Sequence, residues 1–284
     1  MKKLLQFSWV LLLTISVFSA CKKDSTSTPT ENNTNNTGYA NVPESFTKKV
    51  LLEEYTGEWC VNCPDGALYI KNIMAKYPTQ VIAAGVHQGD WLELPQLKLL
   101  STHLGGIGGY PRASINRVPA ANTTNGQDGM VVYSRGNWES NVARLIDVSG
   151  KTGKYGLALE TKLTGDKLDI TAHCGFKTNE SRDTRLTIYI LEDDITAINQ
   201  IGATTTPYVH KHTLRKVVTD GTGDAIDMKT GNYLKKEYTG ISLTGYKLAN
   251  IHVVAFMNVV GTNTNTHEVL NVQDVKAGEN KNYD

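Results

Sequence analysis

Cysteine is scarce in this sequence, and the positive and negative charges almost balance. Four cysteines among 284 residues exclude a small scaffold held together by many disulfides. The formal net charge of +1 gives no sign of the basic face that nucleic-acid binding requires, so we expect no nucleic-acid partner. With 40% hydrophobic and 20% charged residues, the chain suits one large or two medium folded domains rather than a disordered protein or a membrane bundle.

Residues 1–20 have the pattern of a secretory signal peptide. Two lysines precede the apolar stretch "LLQFSWVLLLTISVF", and a Ser-Ala pair comes directly before Cys21. The sequence "FSAC" resembles the lipobox of bacterial lipoproteins, which implies that Cys21 is lipidated and becomes the first residue of the mature chain. The alternative is an ordinary signal peptide with a chance cysteine. In either case the protein is exported to a compartment where disulfides persist.

Residues 21–46 are rich in Ser, Thr and Asn and contain almost no apolar side chains. Such a segment cannot bury enough surface to become ordered, so we predict a flexible tether. Joined to a lipid on Cys21, this tether would hold the folded part of the chain clear of a membrane.

Cys60 and Cys63 form the natural pair among the remaining cysteines, because Cys174 lies more than a hundred residues downstream. Three interpretations are open: a redox pair, an idle pair in a fold now used otherwise, or half of a metal site. No further ligands lie at the short spacing of a zinc site, and no histidine follows Cys63 as c-type haem attachment requires. We therefore expect no metal and no cofactor.

The residues around this pair predict a strand, a turn and a helix. The run "KVLLEEY" before the cysteines is typical of a buried strand, and apolar residues recur at helical spacing from Cys60 to Tyr77. The sulfurs would then lie at a helix N-terminus, where the helix dipole favours a thiolate. A second strand at 80–87 and a second helix at 94–104 follow, and "GGIGGYPRASINR" then brings Pro111 after an aromatic residue, which favours a cis peptide bond.

These motifs carry a family resemblance. "VLLEEYTGEWCVNC" resembles the strand and "WCxxC" signature of the thioredoxin superfamily, and Pro111 matches its cis-proline. More narrowly, "TGEWCVNCPDG" together with "YVHKHTLRKVV" at 208–218 resembles the 28-kDa outer-membrane protein family of Bacteroidetes lipoproteins. The resemblance implies an outer-membrane lipoprotein with an α/β thioredoxin-like domain, predicted over residues 47–150, followed by a β-rich domain.

The thioredoxin resemblance also implies roles for single residues. Cys60 would be the exposed attacking sulfur and Cys63 the buried resolving one. Glu54 matches the buried carboxylate that relays a proton to the second sulfur, with a pKa raised by burial. Pro111 would shape a groove, in which Tyr110 offers backbone groups to an extended partner chain.

Local charges modify this expectation. Glu58 and Asp65 flank the cysteines and should disfavour a thiolate, whereas Arg112 could lie across the groove and favour it. His87 and Asp90 follow the second strand and should lie near the same site, although their spacing alone does not indicate catalysis.

Residues 151–284 consist of short apolar or alternating runs separated by turn signals, which predicts an all-β sandwich-like domain. Cys174 alternates with apolar neighbours and is expected to be buried as a small hydrophobe. His210 and His212 would share one face of a strand, but no third ligand is in view, so we do not predict a metal site there.

Two functions of different classes are compatible with these features. In the first, the protein is a lipid-anchored thiol-disulfide oxidoreductase whose partners are thiols or disulfides of exported proteins. In the second, it is a non-catalytic surface module for adhesion or binding of an unknown ligand, and its two cysteines stay as a resting disulfide. The sequence does not decide whether it faces the periplasm or the cell surface.

Overall fold

Strands dominate residues 38–284, which are the residues that the computed structural model describes. The predicted signal peptide, the predicted lipidation site Cys21 and most of the predicted tether lie outside them. The elements, in chain order, are β1 (Phe46–Thr47), β2 (Val50–Thr56), α1 (Cys63–Lys76), β3 (Val81–His87), α2 (Leu97–His103), β4 (Arg112–Ile115), β5 (Val132–Ser134), α3 (Trp138–Val148), β6 (Thr152–Gly153), β7 (Tyr155–Thr164), β8 (Lys167–Phe176), β9 (Thr184–Glu192), β10 (Ile195–Thr196), β11 (Val209–His210), β12 (Thr213–Val217), β13 (Asp224–Ala225), β14 (Tyr233–Ser242), β15 (Ile251–Val259), β16 (Val269–Lys276) and β17 (Asn280–Lys281).

Strand β2 lies inside a nine-stranded sheet and organises the N-terminal half. It pairs in parallel with β3 and antiparallel with β4, which in turn pairs antiparallel with β5. All seven residues of β2 are buried, because helices or other strands cover both faces of the sheet.

Side chains of β2 alternate between these two faces. Val50 and Leu52 pack with residues of α1 and α3 in one hydrophobic cluster. Leu51 and Tyr55 pack on the opposite face with residues of α2. By the same alternation, Glu54 lies on the α1 face and Glu53 on the α2 face, so two neighbouring carboxylates have different surroundings.

The C-terminal half adds a second sheet. Its four strands lie in the order β14-β8-β7-β17, and apolar side chains from β7 and β8 meet those of β9 and β15 in a third hydrophobic cluster. Cys174, on β8, is fully buried in this cluster, as the alternating pattern predicted. The chain is thus a mixed α/β protein made mostly of strands.

The large sheet continues across the predicted domain boundary at residue 150. Strand β12 pairs in parallel with β3 and antiparallel with β9, so C-terminal strands extend the sheet begun by the N-terminal half. Tyr189 and Phe256 accordingly share a hydrophobic cluster with Leu51 and Tyr55. Local sequence patterns could not indicate this join, because it depends on a short contact between strands more than a hundred residues apart.

His210 and His212 do not share a strand face, contrary to the sequence-based expectation. Strand β11 ends at His210, and β12 begins at Thr213. Between them the backbone takes a left-handed conformation at His212, with φ 53°. His210 consequently lies near Glu58, whereas His212 lies near Asp193.

Within residues 38–284, no helix is both long and apolar enough to cross a membrane.

Candidate functional site

Cys60 and Cys63 form a disulfide at the N-terminus of α1. The peptide N–H of Cys63 donates to the carbonyl of Cys60 at 3.2 Å, and Asn62 is the N-cap residue of the helix. Pro64 occupies the first turn, where a residue without an N–H is tolerated. The predicted order of strand, turn, cysteine pair and helix is therefore confirmed.

Cys60 is not exposed, contrary to the role implied by the thioredoxin resemblance. It is 3% exposed, and Cys63 is 2% exposed. Part of the reason lies in the C-terminal half of the chain: residues 197–203, the first part of the connection from β10 to β11, run along residues 58–61. We call residues 197–203 the covering segment.

Main-chain and amide groups hold the covering segment in place. Ile201 N donates to the carbonyl of Glu58 at 2.7 Å, and the side-chain amide of Gln200 donates to the carbonyl of Cys60 at 3.1 Å. Gly202 has φ +78° and lies so close to Val61 that a Cβ atom there would collide with the Val61 carbonyl oxygen. Glycine is therefore required at position 202 by both backbone conformation and space.

The Glu58 carboxylate accepts hydrogen bonds from the same segment. Ile198 N and Asn199 N donate to its two oxygens at 3.0 and 3.1 Å, and Trp91 Nε1 donates at 3.1 Å. Burial alone would raise the pKa of Glu58, but these hydrogen bonds and one with His210 outweigh burial and lower that pKa. Glu58 is thus an anion that binds the covering segment, a role its sequence position did not reveal.

His87 and Asp90 belong to this buried polar cluster. The His87 Nδ1 atom lies 2.7 Å from Asp90 Oδ2, which also accepts a hydrogen bond from Glu58 N at 2.9 Å. The imidazole of His87 packs edge to face against that of His210, with ring centroids 4.7 Å apart. Burial, followed by the influence of His87, lowers the pKa of His210 to about 4.

Glu54 lies beneath the first turn of α1, the helix end that carries the disulfide. Its carboxylate is so close to Gly66, in that turn, that a Cβ atom at Gly66 would collide with Glu54 Oε1 and with the ring of Pro111. Oε1 is buried and has no hydrogen-bond partner among the residues that the structure describes. Burial raises the pKa of Glu54 to about 8, so this carboxyl can hold a proton near neutral pH.

Tyr110 and Pro111 lie beside the cysteine pair, and the peptide bond between them is cis, as predicted. The ring of Tyr110 packs edge to face against that of Trp59, with centroids 5.1 Å apart, while Pro111 contacts the position of Gly66. The two residues therefore touch the chain on both sides of the disulfide. Burial raises the pKa of Tyr110 to about 12, so its hydroxyl stays protonated.

The side chain of Arg112 lies against Gly108 and Gly109. Its influence on Cys60 stays a prediction, since no hydrogen bond or ion pair of this guanidinium is found within residues 38–284. Asp65, one of the acids expected to disfavour a thiolate, is paired with Arg135. The local negative charge near the cysteines is therefore smaller than the sequence suggested.

Sequence reasoning missed a buried charged pair on the other face of β2. Glu53 forms two hydrogen bonds of 2.7 Å with Arg117, and the hydroxyl of Tyr189 lies 3.0 Å from the Glu53 carboxylate. A charged residue inside the apolar run of β2 was the available signal.

Within residues 38–284, no three His, Cys, Asp or Glu side chains are grouped so that they could hold a metal ion.

Comparison with known proteins gives one family match. Residues 102–281 match the family model described as outer membrane protein Omp28. A search of curated protein sequences found no match.

Solved structures show the same fold. HBP35 of Porphyromonas gingivalis is similar with a TM-score of 0.69 and 24% identity, covering 84% of this chain and 78% of that chain. Protein AGR_C_4864 from Agrobacterium tumefaciens is similar with a TM-score of 0.54 and 14% identity, covering 82% of this chain and 96% of that chain. At these identities the likeness concerns the fold alone.

Proposed function

Because the chain belongs to the Omp28 family of outer membrane proteins, we propose that it is an outer-membrane lipoprotein whose thioredoxin-like part exchanges thiols and disulfides with exported proteins. Family membership confirms the resemblance drawn from the sequence and the predicted location at the outer membrane. The proposal concerns the finer points: the lipid on Cys21, the thioredoxin-like unit and the chemistry of Cys60 and Cys63.

The topology of the N-terminal half supports the thioredoxin-like assignment. Its order along the chain is β2-α1-β3-α2-β4-β5-α3, and its order in the sheet is β3-β2-β4-β5. Helices α1 and α3 pack on one face and α2 on the other. The cysteine pair lies where β2 leads into α1, and a cis-proline lies beside it, as the thioredoxin resemblance implies.

The single observation that carries the redox proposal is the buried Glu54 carboxyl beneath the helix end that holds the disulfide, whose Oε1 has no hydrogen-bond partner within residues 38–284. A purely structural crosslink has no use for a buried carboxyl without a partner, which destabilises the fold once it ionises. A disulfide that is reduced and re-formed can use a buried carboxyl, because the leaving sulfur needs a proton. Glu54 is therefore proposed as the group that gives and later takes this proton.

The exchange can be written as a balanced sequence. A thiolate of an exported protein attacks Cys60 Sγ, the bond between the two sulfurs breaks, and a mixed disulfide forms while Cys63 leaves as a thiolate that Glu54 protonates. A second thiol of the same partner then attacks the mixed disulfide and releases Cys60. Two electrons pass from the partner to this protein; the proton of the second thiol passes through water to Glu54, so the products are a Cys63 thiol and a Cys60 thiolate, and the reverse sequence reduces a partner disulfide.

A second candidate function is a non-catalytic surface module with a resting disulfide. The burial of both cysteines favours it, since neither sulfur is open to a partner while the covering segment is in place. The unknown ligand would then bind elsewhere on the molecule.

Reduction of insulin by dithiothreitol tests the two functions. We expect the full-length protein in detergent to accelerate insulin reduction, and Cys60→Ser to abolish the acceleration. Cys174→Ser is the matched control, because it also removes one thiol but lies in a different hydrophobic cluster. Equal rates for wild type and Cys60→Ser would favour the non-catalytic module.

The lipid anchor has its own test. Cys21→Ser should release the protein from the outer-membrane fraction into the soluble fraction when cells are fractionated. A Cys21→Ser protein that still sediments with the outer membrane would contradict the anchor, whatever the outcome of the redox assay.

A further inference from the structure

We propose that the covering segment, residues 197–203, is a built-in gate that must move aside before the disulfide between Cys60 and Cys63 can react. This inference rests on the proposed function, because a gate has a use only if the disulfide reacts with a partner. The gate itself can be measured without any enzymatic activity, by the access of a small reductant to the disulfide.

The geometry of the segment places it along the residues that a partner would have to approach. Gln200 reaches the Cys60 carbonyl, Ile201 N reaches the Glu58 carbonyl, and Gly202 packs on the Val61 carbonyl. A thiolate attacks a disulfide sulfur directly and requires room for a third sulfur atom. That room is missing around a cysteine that is 3% exposed.

The segment is attached in a way that permits opening. Strands β10 and β11, on its two sides, pair with each other in a separate two-stranded sheet. Ile198 is 75% exposed, so this large apolar side chain contributes little to holding the segment down. The closed position of the segment is therefore stabilised mainly by hydrogen bonds, and each of these contributes little net free energy. Segments with few buried apolar contacts open locally without unfolding the protein.

Glu58 acts as the positioning residue of the gate. Its carboxylate accepts the N–H groups of Ile198 and Asn199, and its carbonyl accepts that of Ile201. A single residue two positions before Cys60 thus fixes three residues of the segment. Displacing the segment uncovers the cysteine pair and leaves the Glu58 carboxylate with the hydrogen bonds to Trp91 and His210.

The test is the rate at which dithiothreitol reduces the disulfide in the oxidised full-length protein, followed by maleimide labelling of the thiols that newly appear. Two electrons and two protons pass from dithiothreitol, which becomes a cyclic disulfide. If reduction follows opening of the gate, its rate is proportional to the open population. Destabilising the closed segment must therefore accelerate reduction.

Two variants open the gate by different means. Gly202→Ala introduces the collision with the Val61 carbonyl, and Gln200→Ala removes the side-chain amide that reaches the carbonyls of Glu58, Cys60 and Ile201. Because one net hydrogen bond corresponds to about a fivefold change in an equilibrium, we expect reduction to be about fivefold faster or more in each variant.

Gly231→Ala is the matched control. Gly231 has φ +80°, close to the +78° of Gly202, but has open space where its Cβ would be. The Gly231→Ala variant therefore introduces the same backbone strain without the collision, and its disulfide should be reduced at the wild-type rate. Circular dichroism must show that each variant is folded at the assay temperature. Equal reduction rates in wild type, Gly202→Ala and Gln200→Ala would overturn the gate.

The same variants separate this inference from the proposed function. Faster disulfide reduction together with faster insulin reduction supports both. Faster disulfide reduction in variants that do not reduce insulin supports the gate and contradicts the oxidoreductase. Insulin reduction at one common rate, with unchanged disulfide access, supports the oxidoreductase and contradicts the gate.

Discussion

Replacing Glu54 by glutamine should change how the stability of the protein depends on pH. Burial raises the pKa of this carboxyl from its ordinary value of 4.5 to about 8. Between these two values the folded state holds a proton that the unfolded state has lost, so wild-type stability falls as pH rises through this range. Below 4.5 both states are protonated, and above 8 both are ionised, so the contribution levels off on either side.

The magnitude follows from the size of the pKa difference. Linkage predicts that ionisation of Glu54 removes about 5 kcal/mol of folding free energy between roughly pH 4.5 and pH 8. The glutamine side chain cannot ionise, so the difference in unfolding free energy between Glu54→Gln and wild type should grow by this amount over the same range. Taking the difference between the two proteins cancels the contributions of the histidines, which titrate in both.

Urea denaturation of the oxidised protein, followed by circular dichroism at several pH values, measures this difference. Glu44→Gln is the control, because Glu44 is fully exposed and its replacement should leave the pH profile unchanged. Wild-type and Glu54→Gln profiles that stay parallel within about 0.5 kcal/mol would refute the reasoning, since a carboxyl that ionises freely in the folded state is not held neutral by burial.

Three further predictions concern the buried interior. Glu53→Gln leaves Arg117 without its charged partner and should lower the unfolding free energy by about 3–5 kcal/mol in urea denaturation; a loss below about 1 kcal/mol would contradict the role of this pair. The Cys174 thiol, whose pKa burial raises to about 12, should react with iodoacetamide only after unfolding in guanidinium, and labelling of the native protein would contradict its burial. Phe46→Ala empties the space beside Gly156 and should destabilise by about 3–5 kcal/mol, whereas an unchanged denaturation midpoint would show that the ring is dispensable.

Local patterns in the sequence predicted the centre of the site. The strand before Cys60, the helix after Cys63 and the burial of Glu54 each depend on apolar spacing within a few residues, which a single sequence displays directly. The cis bond before Pro111 was predicted for the same reason, because an aromatic residue next to proline is a local feature.

The cover over the disulfide could not be predicted in this way. Gln200 lies 140 positions from Cys60, and most of the bonds that hold the segment use backbone groups, which every sequence contains. The contact between Glu58 and the covering segment was missed for a related reason. Its charge is visible in the sequence, but the amides of Ile198 and Asn199 that stabilise this charge come from a remote loop.

The pairing of β12 with β3 has a consequence for how the chain matures. Without β12, β3 would be the last strand on its side of the sheet, with unpaired peptide groups open to any other extended chain. Leu51 and Tyr55 would also lack the cover that Tyr189 and Phe256 provide. A nascent chain that ends at residue 150 therefore exposes the unpaired edge of β3 and the apolar face that carries Leu51 and Tyr55. Synthesis of the C-terminal half covers both and so protects the chain against aggregation.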